Sequence, residues 1–178
     1  MKPTKLVAAL SLPTLALCAS AALDAQTSGD FMPQATIKEV MASVVMPAAD
    51  ALWNGITYDA NEAGETIIKG PETEEGWQTL RSGAVLLAES ANLLVIPGRA
   101  VDQPGAEGLE GELSPQEIDE LVRKSWSAWV GHAHAMHAVA TQVLEAIDAK
   151  NAEALSDVSG AMDAVCTACH SQFWYPEQ

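Results

Sequence analysis

The chain has 178 residues and a formal net charge of -15, with 24 acidic against 9 basic side chains, three cysteines and 48% hydrophobic residues. That length suits one domain with a sizeable core. So acidic a protein is a poor partner for nucleic acid or anionic membrane surfaces.

The first residues read as a secretory signal: Met1, Lys2 and Lys5, then an apolar run from Leu6 to about Cys18, then small residues. Ala19-Ser20-Ala21 offers a cleavage site, and Ser20-Ala21-Ala22 another. The run is too short for a permanent membrane span, so the expected product is exported and soluble in the periplasm, with residues 1–21 removed. Losing Lys2 and Lys5 lowers -15 by two, to -17. A redox partner with a basic docking surface fits this charge, although solubility alone accounts for it. Cys18 would be a lipid attachment site if a small residue preceded it. Leu17 stands there instead, so Cys18 is expected to leave with the signal. Both remaining cysteines then belong to one motif near the C-terminus.

Residues 22–35 read as a flexible lead-in, and 36–178 as the folded domain. A first helix opens at the capping box Thr36-Ile37-Lys38-Glu39. Its apolar stripe is Ile37, Val40, Met41, Val44, Ala48, Ala51 and Leu52. Pro47 should bend it and Asn54-Gly55 stop it. Residues 56–70 suit either a small hairpin around Asn61-Glu62-Ala63-Gly64 or an irregular loop. A second helix starts at Thr73 and carries Trp77, Leu80, Ala84, Leu87, Ala88, Ala91 and Val95 inward, until Pro97-Gly98 ends it.

A loop rich in Gly, Pro and acids runs from about Pro97 to Leu113. Ser114-Pro115-Gln116-Glu117 then has the form of a helix start. The helical pattern continues to about Lys150, with a break expected near Arg123–Ser125. Trp126, Trp129, Val130, Ala133, His137, Ala140, Leu144 and Ile147 are assigned to its inner face. A last helix from about Asn151 places Leu155, Val158, Met162, Cys166, Cys169, His170 and Phe173 in one stripe.

That stripe contains Cys166-Thr167-Ala168-Cys169-His170, a C-x-x-C-H sequence with the pattern of covalent c-type haem attachment. Positions i, i+3 and i+4 share one side of a helix. Two thioethers and an imidazole ligand to iron can therefore come from a single face. Other readings fit less well. A thioredoxin-like dithiol sits in a βαβ setting, zinc needs a fourth ligand, and an i, i+3 disulfide is awkward on a helix. The expected fold is all-α: an antiparallel four-helix bundle with one covalent haem on the C-terminal helix.

With Cys166–His170 close to the end of a fourth helix and Phe173 three residues after the histidine, the chain resembles a class II c-type cytochrome, the cytochrome c prime group and its low-spin methionine-ligated relatives. Asn92-Leu93-Leu94, Pro97-Gly98-Arg99 and Phe173-Trp174-Tyr175-Pro176 look like an exported branch of these bundles. The resemblance implies haem near one end, His170 as proximal ligand, and electron transfer or gas binding; dimers are common in the group, so a homodimer is also an option. The chain departs from the group in three places: no basic residue follows His170, and residues 56–70 and the acidic loop are extra.

In the low-spin relatives a first-helix methionine takes the sixth iron position. At about 100° per residue from Ile37, Met41 falls about 40° away, inside the stripe, and Met46 about 180° away with Glu39 and Asp50. Met41 is the expected ligand. His137 is the alternative, placed inward by the same count while His132 points away and His134 is marginal. An empty site is the third possibility. Arg81 and Arg99 are candidates to pair with haem propionates, although ordinary ion pairs explain them as well. The function expected is a mono-haem electron carrier and not an enzyme. A five-coordinate protein binding NO or CO is the rival, and a small peroxidase using His137 as base a weaker third.

Overall fold

The computed structural model describes residues 31–175, so the signal segment, Cys18 and most of the lead-in lie outside the described residues. The domain is mostly helical with one small two-stranded sheet. No helix among the described residues is long and apolar enough to cross a membrane.

Helix α1 is built of three consecutive pieces, Ile37–Val40, a π-helical turn Met41–Val45, and Met46–Trp53. Its start is fixed by both halves of the capping box, Glu39 N–H to Thr36 Oγ1 at 3.1 Å and Thr36 N–H to Glu39 Oε2 at 2.8 Å. Two further orphan amides, Ile37 and Lys38, donate to the carbonyls of Ala100 and Val101. The hairpin forms as strands β1 (Thr57–Ala60) and β2 (Thr66–Lys69), antiparallel with Tyr58 opposite Ile68. Gly55 before it lies tight against Leu80, whose buried side chain would have to shift for a Cβ that would otherwise lie 2.2 Å from its methyl group.

Helix α2 (Glu74–Leu94) is capped by Thr73 and carries nine buried residues. Its chain leaves through Gly98 at φ 76°, a conformation that favours glycine. Helix α3 (Pro115–Lys124) starts at a complete Ser114/Glu117 capping box. It breaks at Ser125, as the sequence suggests, and α4 (Trp126–Asp148) follows. Helix α5 (Ala152–Phe173) is capped by Asn151. Helix α2 packs on α1 and α4, and α4 packs on α5; α1 and α5 share no such close packing.

Two helices differ in phase from the sequence reading. On α1 the buried residues are Ile37, Val40, Val45, Ala48, Ala49 and Leu52. Beyond Val40 the expected Ala48 and Leu52 are buried, but Val44 and Ala51 are only half-buried, and Val45 and Ala49 join the buried face instead. The π turn is the cause. Within an α-helix, Pro47 would lack an amide for the Ser43 carbonyl and its ring would press on that oxygen. The chain instead widens by one residue, with Met46 N–H donating to the Met41 carbonyl. One inserted residue turns everything after it by about 100° relative to a straight helix. So Pro47 shifts the register of the helix.

On α4 the buried side is Trp129, Ala133, Met136, Val139, Ala140, Val143, Ala146 and Ile147. Measured at about 100° per residue from Trp129, these span an arc from about 260° to 40°. His132, at about 300°, falls inside it, and His137, at about 80°, outside. Trp126 is 38% exposed, so taking it as an inward residue biased the sequence reading toward His137.

Candidate cofactor site

Helix α5 has 22 residues, of which only Leu155, Met162 and Phe173 are fully buried. Its stretch from Asp163 to His170 borders a cavity of about 320 Å³. Cys166, Cys169 and His170 form one wall. Met41, Val45, Met46, Ala49 and Trp53 of α1 line it too, as do Leu94 and, from α4, Trp129, His132, Ala133 and Met136. The cavity thus lies between α1 and the C-terminal part of α5.

The aromatic side chains after the motif fix the end of α5. Phe173 meets Trp129 edge-on at 5.2 Å between ring centroids, and Trp174 stacks on Trp129 at 6.3 Å. Trp129 Nε1–H donates to the Leu94 carbonyl at 2.9 Å, tying α4 to the last turn of α2. His170 lies 6.2 Å from Trp174, ring centre to ring centre. These contacts hold the motif helix against the cavity from its C-terminal side.

Burial, with Cys166 close by, pushes the Cys169 thiol up to about 12. Burial, with Asp163 adding, also raises Cys166. A redox dithiol or a thiolate metal site needs the opposite shift. Burial lowers His170, with Glu112 opposing, which favours the neutral imidazole able to donate its lone pair to a metal. Among the described residues no group of three His, Cys, Asp or Glu side chains is arranged to hold a bare metal ion.

Two neutral thiols, an unprotonated imidazole and a thioether around an apolar space fit a flat apolar cofactor with a central metal. The cavity volume lies in the ordinary range for cofactor sites.

The remaining sequence-predicted residues sort as follows. Met41 lines the cavity, as expected. Met46, expected on the outer side, lines it as well, carried there by the π turn. His137 is exposed and off the cavity, whereas His132 lines it, with Nε2 at 2.7 Å from Gln172 Oε1. The bis-histidine and peroxidase readings therefore find no support at His137.

Neither arginine reaches the cavity. Arg81 pairs with Asp148 at 2.8 Å, about 20 Å along α2 from Leu94 at 1.5 Å per residue. Arg99 donates from Nε to the Leu93 carbonyl at 2.8 Å and from Nη1 to the Ala35 carbonyl. Its role is to cap the end of α2 and anchor the chain before α1.

The cation that does stand beside the site is Lys38, which the sequence reading did not single out. A smaller adjoining cavity is lined by Lys38, Met41, Met46, Glu112, His170 and Tyr175. Lys38 Nζ lies 3.4 Å from both Asp102 and Glu112. Tyr175 donates its hydroxyl to Glu112 Oε1 at 2.9 Å, and the Leu109 amide donates to Oε2 at 3.1 Å. Burial alone would raise the Glu112 carboxyl, but these donors and Lys38 hold it below the usual range. No pattern in the sequence links positions 38, 112 and 175, because the acidic loop that joins them has no helical or strand period. The chain matches no family model, no curated protein and no solved structure.

Proposed function

We propose that this protein is an exported mono-haem c-type cytochrome of the class II kind, carrying single electrons in the periplasm on an antiparallel bundle of α1, α2, α4 and α5. The observation that carries the reading is the placement of Cys166, Cys169 and His170 on one wall of an apolar cavity that Met41 also lines. The size of that cavity adds weight. A space of about 320 Å³ with mostly apolar walls suits an apolar guest better than water.

In this reading Cys166 and Cys169 hold the porphyrin through thioethers, and His170 and Met41 ligate the iron. Haem supplies a one-electron couple, which a thioether ligand sets at a higher potential than a second imidazole would. Trp129, Phe173 and Trp174 keep the motif helix in place, and the apolar walls keep water from the metal. Lys38, which lines the adjoining cavity with His170, would meet a cofactor carboxylate only by exchanging Asp102 or Glu112 for it.

The test is the absorption spectrum of the reduced protein, made in a host competent for c-type maturation, with and without CO. A low-spin spectrum unmoved by CO, with the methionine–iron charge-transfer band in the oxidised form, supports the carrier. A high-spin spectrum that shifts with CO supports NO or CO binding at an open sixth position. Colourless protein with two free thiols refutes both.

A further inference from the structure

The groove between the 96–104 loop and α3 has charged lining groups that balance: Arg99 and Arg123 against Asp102 and Asp119. The exposed hairpin carries no group pointing to a ligand. The Lys38–Glu112–Tyr175 cluster is internally satisfied. The π turn in α1 carries more. It places two methionines, five residues apart, on the same cavity, and its own hydrogen bond joins them, Met46 N–H to the Met41 carbonyl. Met41 is half-buried, while Met46 is 45% exposed and lies at the rim.

We propose that the sixth iron position is served by this methionine pair: Met41 is the resident ligand and Met46 a reserve that takes its place when Met41 is lost or withdrawn. The inference rests on the cytochrome reading above. Three features support it. Both thioethers line the cavity that contains His170. Methionine has three rotatable bonds and no branching, so a side chain at the rim can swing in without moving the backbone. Finally, in a straight α-helix Met46 would sit on the far side from Met41, so the one-residue widening at Pro47 makes the pair.

The pairing gives the site a tolerance that a single ligand lacks. Withdrawal of Met41 exchanges one thioether for another, so the coordination stays sulfur–imidazole and closed to external ligands. It also gives the two sulfurs unequal exposure to oxidants, since the rim methionine meets solvent first. Conversion of Met46 to its sulfoxide by a hydroperoxide, which gives up one oxygen atom and leaves as water or an alcohol, removes the reserve and leaves the resident ligand in place.

The experiment uses the haem-bearing protein and leucine substitutions, which nearly conserve volume and so keep the chain folded. Met41→Leu, Met46→Leu and the double variant are compared by absorption spectrum, CO binding, and NMR of the ¹³C-methyl-labelled oxidised and reduced forms. The expected result is a low-spin, CO-resistant spectrum in both single variants. The iron-shifted methyl resonance belongs to Met41 in the parent and to Met46 in Met41→Leu. Only the double variant loses the charge-transfer band and binds CO.

A Met41→Leu protein that turns high-spin and CO-binding overturns the pair while leaving the cytochrome reading intact. A double variant that stays low-spin also overturns it, pointing to a ligand outside the pair. A parent protein without covalent haem removes the underlying reading instead, so the two failures are distinguishable.

Discussion

Replacing Ala133 with Leu tests whether the space beside the motif helix is built for an occupant. Ala133 is 4% exposed to solvent and lines the cavity wall on α4, next to His132. Leucine adds three carbons, each worth about 0.8 kcal/mol when buried, so a haem-free chain should gain about 2 kcal/mol by filling part of the cavity. For a domain of this size that is a rise in melting temperature of about 4–8 °C. In the haem-bearing protein the same carbons would compete for occupied space, and overpacking of that kind costs about 1–3 kcal/mol. The substitution should therefore change sign between the two forms. The assay is urea unfolding followed by far-UV circular dichroism, in a Cys166→Ser/Cys169→Ser background that blocks attachment and in the attached protein. A loss of a kcal/mol or more in the blocked background would mean that the wall is already close-packed, and the reasoning from cavity to cofactor would fail.

Deleting Ser43 together with Pro47→Ala should be tolerated, since it removes the extra residue and leaves both ends of α1 in phase. Deleting the exposed Ser82 from α2 should instead rotate Leu87 and Leu94 off the core, at a cost of roughly 3–6 kcal/mol; equal melting temperatures for the two deletions would contradict the register argument. In the haem-free chain, stability should decline above about pH 9, because folded Cys169 keeps its proton to about 12 while the unfolded thiol loses it near 9. The slope is at most about 1.4 kcal/mol per pH unit, and Cys169→Ser should flatten it; a pH-independent urea midpoint from 8 to 10 would rule this out. Arg99→Ala should destabilise the protein by about 2 kcal/mol through its two lost carbonyl contacts. The haem spectrum should not move, and a clear spectral change would restore a role for Arg99 at the cofactor.

The helix starts were legible because they are written in short local codes. Thr36 with Glu39, Thr73, Ser114 with Glu117, and Asn151 all cap helices, as the sequence suggests. The break at Ser125 was legible for the same reason, whereas for residues 56–70 the turn residues left a hairpin and an irregular loop both open, and the hairpin formed. Helix phase was less so, because it accumulates along the chain. One inserted residue at Pro47 and one misjudged tryptophan at 126 were enough to send Met46 outward and to exchange His132 for His137. The clasp of Lys38, Glu112 and Tyr175 could not be read at all, since it depends on where an aperiodic loop lies in three dimensions.

That clasp joins parts of the chain that lie far apart in sequence. Its contacts close across separations of 74 residues for Lys38 with Glu112 and 63 for Tyr175 with Glu112. Links of such long range form only after the helices have docked, and they are spread along a segment with little regular structure. Such a segment tends to open well below the energy of global unfolding. One carboxylate, Glu112, thus ties the end of the region from Val95 to Leu113 to both α1 and the chain just after α5, beside His170, so losing it would unfasten that end while the helices stay folded.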